Sequence, residues 1–377
     1  MEETPHSRMA EFRRGLARYA PISRIAAGGM GEVWRGEASF PDGHVQEVAI
    51  KRVLPHLSNE PLYRRMLEDE ARLGMLLRHP NIVRVFDART QGSFVLVMEF
   101  VEGRSLRQIL ERLCAQVSRV PVAAALHIAH SLACALQHAH EAVDDLGRDL
   151  ALIHGDISPH NVLLGIDGQV KLMDFGLARA SANLADRPPD RISGKYGYLA
   201  PEVVLHGEAS QSMDLFALGV VLWECLTGKR LFLAKSLRDC RKLLRAFDIP
   251  RSSLVNPAVS KPFEDVLSRL LTKSPAERFQ TARELRTTLE TIIEPLPDGI
   301  CRKATARLVQ LNLGDKPRRS LVAHGVTHLS ETELDEFFAN CATTVHQRPS
   351  LAPVSNDELN AFVTECDTGL WQRPPES

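Results

Sequence analysis

The chain has 377 residues, of which 44% are hydrophobic and 25% charged, and its formal net charge is −1. These are the proportions of an ordinary globular protein, long enough for one large or two to three average domains. They exclude a collagen-like or wholly disordered chain, and a charge near zero offers no overall basic field for nucleic acid or an acidic membrane.

Residues 1–17 are polar and begin with acids, so they form an N-terminal extension and not a signal peptide. From Arg18 the text turns to strands. Arg18–Ile25, Glu32–Ala38 and Val45–Arg52 are predicted strands, separated by a glycine cluster and by the turn Pro41-Asp42-Gly43. Pro61–Arg78 carries Leu62, Met66, Leu73 and Leu77 at helical spacing. Ile82–Ala88 and Ser93–Met98 return to strand. After Gly103 the pattern is mainly helical, with Val122–Glu141, Ser212–Leu226, Leu237–Ala246 and Pro262–Leu271 the clearest helices. Asn161–Leu164 and Gln169–Met173 read as a small hairpin closed by Asp167-Gly168.

The segment from Pro295 opens with proline and glycine, and from Glu294 onward it holds 12 acids against 8 Lys and Arg. It reads as a partly disordered, regulatory C-terminal tail with short helices over Glu331–Cys341 and Asn356–Glu365. The seven cysteines are scattered and odd in number, which fits a reduced compartment and no zinc or disulfide framework. Neither apolar stretch, Ala123–Ala139 or Leu215–Leu226, spans a bilayer. The expectation is a soluble cytoplasmic protein.

Several short patterns carry chemistry. Ala26-Ala27-Gly28-Gly29-Met30-Gly31-Glu32-Val33 lies between two strands, where glycines let backbone N–H groups approach phosphates. Alone it is no more than a turn. Val48-Ala49-Ile50-Lys51 ends an apolar strand on a lysine. Glu70 falls on the inward stripe of its helix, where an unpaired carboxylate is very costly. Lys51 is its natural partner, and such a pair holds the ammonium toward phosphates. His154-Gly155-Asp156-Ile157-Ser158-Pro159-His160-Asn161 and Asp174-Phe175-Gly176 supply two carboxylates and a carboxamide around the predicted hairpin. Phosphoryl transfer needs hard oxygen ligands for Mg²⁺ and an acceptor for the substrate hydroxyl proton. Asn161 and Asp174 suit the metal, and Asp156 the proton. Ala200-Pro201-Glu202, Asp214 and Arg278 complete the series.

In this order and spacing the motifs resemble those of the eukaryotic-like (Hanks-type) protein kinases of bacteria, and their spellings are similar to myxobacterial members. The resemblance covers about Tyr19 to Ile293 and sets the catalytic domain at 18–293, with the tail at 294–377. It implies an α+β, bilobal fold, a β-rich N-lobe and a helical C-lobe, with ATP and Mg²⁺ (or Mn²⁺) between them. By the same resemblance Lys51 meets the α/β-phosphates and pairs with Glu70, and Asp156 is the catalytic base. Val33, Ala49 and Leu163 enclose the adenine, beside Met98 and the Glu99–Val101 hinge. Ala26 to Gly31, including Gly29 and Met30, cover the phosphates. His154 and Phe175 belong to the internal packing spine. Glu202 and Arg278 form a buried ion pair, and Asp214 anchors the catalytic loop.

The chain departs from this pattern at several places. Gly155 stands for the arginine that normally meets a phosphorylated activation loop, so activity is expected without that phosphate. The loop from Leu177 to Leu199 contains no threonine, and Ser181 and Ser193 are its only serines. Ser158 replaces the catalytic-loop lysine, while Lys195 stands where the activation segment usually has threonine. The two changes suggest a swap, in which Lys195 reaches Asp156 or the γ-phosphate; the alternative is a solvated lysine. Ala26 replaces the first loop glycine. Gly74 replaces a bulky residue, which suggests a loosely docked helix. Histidines 127, 130, 138 and 140 share one helix and read as satisfied or surface residues.

The expected function is ATP-dependent transfer of the γ-phosphoryl group to Ser/Thr of proteins, including itself, in intracellular signalling. Its expected partners are protein substrates and an upstream kinase or regulatory protein, with no nucleic acid and no membrane span. The alternative is a pseudokinase, a nucleotide-binding scaffold that transfers nothing. A small-molecule kinase of related fold is disfavoured by Ala200-Pro201-Glu202 and Arg278.

Overall fold

The computed structural model describes residues 18–28, 31–54, 57, 60–89, 94–144, 146–175, 195–246 and 248–313, without the side chains of Leu62, Tyr63 and Met66. The described residues divide into two compact units.

The N-terminal unit is built on an antiparallel sheet. Its strands are β1 (Arg18–Gly28), β2 (Gly31–Ser39), β3 (Val45–Val53), β4 (Val85–Arg89) and β5 (Val95–Glu99), in the order β1-β2-β3-β5-β4. Residues directly opposite on antiparallel strands share a face, and alternate residues along a strand do too. Trp34 opposes Ile50, and Ile50 opposes Val97. These three join Tyr19, Val48, Phe86 and Val95 in the apolar cluster of one face. The hydroxyl of Tyr19 is buried at its edge and donates to Asp87 Oδ2 at 2.9 Å.

Helix α1 (Pro61–Leu76) belongs to the other face. Gly74 on α1 lies so close to Val85 of β4 that a Cβ there would fall 2.4 Å from Val85 Cγ2. The expectation of a loose helix is therefore corrected: the missing side chain is space already filled by valine. Leu67, Ala71 and Leu73 on the same helix are buried.

The C-terminal unit is mainly helical. After β6 (Gly103–Ser105) come α2 (Leu106–Ala115) and α3 (Val122–His140). The hairpin β7 (Val162–Gly165) and β8 (Val170–Leu172) pairs with β6. Then follow α4 (Pro201–His206), α5 (Gln211–Thr227), α6 (Leu237–Ala246), α7 (Lys261–Leu270), α8 (Ala282–Ile293) and α9 (Ile300–Leu313). Helix α2 begins with a full capping box, Ser105 accepting from Gln108 N–H while Gln108 returns to Ser105 N–H. Helix α5 is apolar nearly all round and correspondingly buried from Met213 to Thr227. No helix among the described residues is long and apolar enough to cross a membrane.

Helix α9 lies in the segment expected as a tail from residue 294. Its Leu308 and Val309 are fully buried, and it packs on α3, β6 and β7. Arg302 comes so close to Gly168 in the β7–β8 turn that a Cβ there would lie 2.4 Å from its carbonyl oxygen. Arg104 and Arg112 donate to the carbonyls of Leu313 and Asn312 at 3.2 and 3.4 Å, satisfying the open C-terminus of α9. The unit thus continues through Leu313. The expected helices over 331–341 and 356–365 lie outside the described residues.

Candidate active site

In the N-terminal unit the apolar run Val48-Ala49-Ile50 is buried on β3 and delivers Lys51 at its end. Lys51 Nζ donates to Glu70 Oε1 at 2.7 Å, and Glu70 is 4% exposed. Ala49 and Lys51 alternate on one face of β3. Val33 opposes Lys51, Ala26 opposes Val33, and Met98 opposes Ala49. The structure therefore puts Ala26, Val33, Ala49, Lys51 and Met98 on one face of the sheet, opposite to the face holding the Trp34–Ile50–Val97 cluster. Gly28 pairs with Gly31 at the end of the β1–β2 hairpin, and Ala26, Ala27 and Gly28 are exposed. Gly29 and Met30, at its tip, lie outside the described residues. Glu99 N–H donates to Arg84 O at 2.8 Å at the end of β5.

In the C-terminal unit a hydrogen-bonded loop holds the remaining candidate residues. Asp214 is 1% exposed at the start of α5. Its carboxylate accepts from the backbone N–H groups of His154 and Gly155, both at 2.8 Å, and meets His140 Nε2 at 2.9 Å. Burial alone would raise its pKa. The hydrogen bond from His140 and the charge of that ring outweigh burial and hold the carboxyl below its usual range. His154 is fully buried, and that burial lowers the pKa of its imidazole. Its Nε2 meets Met173 O at 3.1 Å and its Nδ1 accepts from Asp156 N–H at 3.2 Å. The ring of Phe175 stands edge-on at 4.6 Å between centroids. One histidine thus ties the segment before Asp156 to the segment before Asp174.

Asn161 Nδ2 donates to Asp156 twice, to its carbonyl at 2.8 Å and to Oδ2 at 2.7 Å. That orientation leaves Oδ1, a hard oxygen donor, outside the protein's own hydrogen bonds among the described residues. Asp174 closes the other end of the hairpin at φ +63°, a left-handed conformation rare for a residue with a side chain. Leu163 is half-buried on β7, opposite Lys171, and Val101 is half-buried just before β6. Lys195 Nζ pairs with Asp156 Oδ2. Ser158 is completely buried, and its hydroxyl has no partner among the described residues.

The structural pairs take their expected places. Arg278, fully buried, makes a two-pronged contact with Glu202 at 2.7 and 2.8 Å. His127 meets Thr305 Oγ1 at 3.0 Å, His130 meets Glu290 at 3.3 Å, and His138 stacks on His79. His140 is satisfied as well, and through its bond to Asp214 Oδ2 it belongs to the Asp214 anchor. Ser181, Ser193 and Gly176 lie outside the described residues. Sequence reasoning also missed Arg107 and Arg230, which are far apart in the text and carry no motif. The backbone N–H of Arg107 donates to Pro159 O at 2.8 Å, and the guanidinium of Arg230 lies 5.1 Å from the centre of the Tyr198 ring.

Comparison with known proteins adds a family to this geometry. Residues 19–288 match the family model described as protein kinase domain. The chain is similar to the tyrosine-protein kinase MasK of Myxococcus xanthus, at 34% identity over 276 residues, covering 73% of this chain and 43% of MasK. It is similar to the serine/threonine-protein kinase PrkC of Bacillus subtilis, at 32% identity, covering 75% of this chain and 41% of PrkC. The serine/threonine-protein kinase PknL of Mycobacterium tuberculosis is also 32% identical, with 74% and 67% covered. The chain thus spans about two fifths of the length of the first two. Among solved structures, the PknI kinase domain of Mycobacterium tuberculosis matches with a TM-score of 0.53 and 25% identity, over 75% of this chain and 98% of that one.

Proposed function

This chain belongs to the protein kinase domain family, and on that premise we propose that it transfers the γ-phosphoryl group of ATP to serine or threonine hydroxyls of proteins. The observation that carries the reading is the complete hydrogen-bonded set Asp156, Asn161 and Asp214, together with the Lys51–Glu70 pair. A nucleotide scaffold without transfer has no need of an intact set.

In this reading Lys51, fixed by Glu70, binds the α/β-phosphates. Ala26, Val33, Ala49, Met98 and Leu163 supply apolar surface to the adenine, and Glu99 and Val101 supply backbone groups. Ala27, Gly28 and Gly31 of the β1–β2 hairpin meet the phosphates. Asn161 Oδ1 and the Asp174 carboxylate fit Mg²⁺ or Mn²⁺, which takes one or two protein oxygens beside those of a nucleotide. When bound, the metal neutralises charge on the phosphates. Asp156 accepts the hydroxyl proton as the substrate oxygen bonds to the γ-phosphorus and the bond to the β-phosphate oxygen breaks. Asn161 holds the Asp156 carboxylate in place, and Lys195 adds a positive charge beside it. Lys195 thereby does the work that a catalytic-loop lysine would do at position 158.

The relatives named serine/threonine kinases support the acceptor. The absence of arginine at 155 supports activity without a phosphorylated loop. Protein substrates and an upstream kinase or regulatory partner complete the proposal.

The test is transfer from γ-labelled ATP, with Mg²⁺ or Mn²⁺, to the protein itself and to a generic protein substrate, followed by phosphoamino-acid analysis. Phosphoserine or phosphothreonine that disappears in Lys51→Met and Asp174→Asn is expected. Phosphotyrosine would move the acceptor, and nucleotide binding without any label would leave a scaffold.

A further inference from the structure

The charges around Asp156 point to the chemistry of the acceptor segment. Lys195 pairs with Asp156 itself. The backbone N–H of Arg107 donates to Pro159 O at 2.8 Å, which sets the start of α2 beside the segment that carries Asp156. Arg230 stacks on Tyr198, three residues beyond Lys195. These positions form one electrostatic neighbourhood. Tyr198 and Glu224 each feel both Arg230 and Arg107.

The carboxylates in this neighbourhood are already engaged. Asp156 holds Lys195. Glu224 is buried, accepting from the Tyr198 hydroxyl at 2.8 Å and from Leu231 N–H at 3.2 Å, with Arg230 at 3.3 Å. Glu111 lies one turn along α2 from Arg107 and pairs with it at 2.7 Å. That is an exposed pair on a helix surface, a weak class of interaction, so Arg107 can exchange it for a better partner. Lys195, Arg107 and Arg230 are each about a quarter to a third exposed.

We propose that Arg107, Lys195 and Arg230 make this unit select protein segments that carry aspartate or glutamate beside the acceptor hydroxyl. The proposal rests on the kinase reading above, because it takes Asp156 as the place where that hydroxyl arrives. The guanidinium fork matches a carboxylate with two parallel hydrogen bonds. A lysine or arginine on the segment would instead meet like charge, which discriminates against it. Complementary charge also speeds encounter, and salt weakens that effect.

The test uses the full chain and three short peptides with one central serine, flanked by glutamate, by lysine or by alanine. Binding is read by fluorescence anisotropy of labelled peptides, and transfer by kcat/KM with labelled ATP. The acidic peptide is expected to bind at least about tenfold tighter than the basic one, with the advantage falling as salt rises from about 0.05 to about 0.5 M. The ratio of acidic to basic binding should collapse in Arg107→Glu and fall partway in Arg107→Gln, with thermal melts showing that both variants fold. Equal binding of acidic and basic peptides, or a preference for lysine, overturns the proposal. Tight acidic binding with no transfer to any peptide leaves the selectivity standing and removes the kinase reading.

Discussion

Lys195 Nζ rests on Asp156 Oδ2 across thirty-nine residues of sequence, while Ser158, two residues beyond that aspartate, keeps its hydroxyl fully buried. A side chain enclosed in the interior cannot serve a substrate, whereas the lysine is on the carboxylate. Lys195→Ala and Lys195→Met are therefore expected to lower single-turnover phosphoryl transfer by a factor on the order of 10², the scale for loss of one charge-stabilising group. Lys195→Arg should keep part of the rate, and nucleotide affinity measured alongside should change little. Wild-type rates in both truncated variants would remove Lys195 from the chemistry.

Gly74 presents a case where helix propensity gives the wrong sign. Alanine is the better helix former by about 1 kcal/mol. At this position its Cβ would enter Val85 Cγ2. Gly74→Ala should destabilise the protein by about 1–3 kcal/mol, the range for overpacking. Adding Val85→Ala should recover part of that loss, so the double-mutant cycle shows coupling of opposite sign to the single effects. Urea unfolding of the four proteins measures it, and additive changes would refute the contact.

The Arg278–Glu202 pair is sealed, with Arg278 also donating to the carbonyls of Thr272 and Lys273 at 2.7 and 3.0 Å. Removing one partner strands the other charge. Glu202→Gln should cost about 3–5 kcal/mol in denaturant unfolding. Arg278→Lys should also be costly, because an ammonium cannot reproduce the two-pronged contact. Stabilities within about 0.5 kcal/mol of wild type, the range of ordinary surface changes, would contradict this.

His127 and His79 give the fold an acid limit. Burial, then the charge of His130, lowers the His127 pKa to about 4. Burial, then His138, lowers that of His79 to about 4. An unfolded histidine takes up its proton near 6.5. Between about 6.5 and about 4 the unfolded state therefore binds more protons, and stability is lost as pH falls through that window. Each group contributes at most about 1.4 kcal/mol per pH unit there. His127→Gln keeps a hydrogen-bonding group beside Thr305 and removes the titration. It should flatten the decline in melting temperature across the window, and an unchanged slope would exclude His127 as a source.

The alternation of Val48, Ala49 and Ile50 marks a strand, and an inward carboxylate at Glu70 calls for a cation, so the Lys51–Glu70 pair was legible from local pattern and the cost of buried charge. The same holds for the hairpin that gathers Asp156, Asn161 and Asp174, because turn chemistry is local. The family of motifs then set the fold and the order of its elements. What local pattern could not carry was contact between distant segments. Gly74 suggests a loosely docked helix because sequence shows a missing side chain but not the valine that takes its space. Helix α9 was read as part of a tail because a Pro/Gly opening and mild acidity resemble a linker, whereas its helix is held by surfaces on α3 and the β6–β7 strands. His140 gave no sign of its place under Asp214, seventy-four residues away. The cations at 107, 195 and 230 carry no shared periodicity. Only the tertiary fold brings them into one field, because charge acts through space and not along the chain.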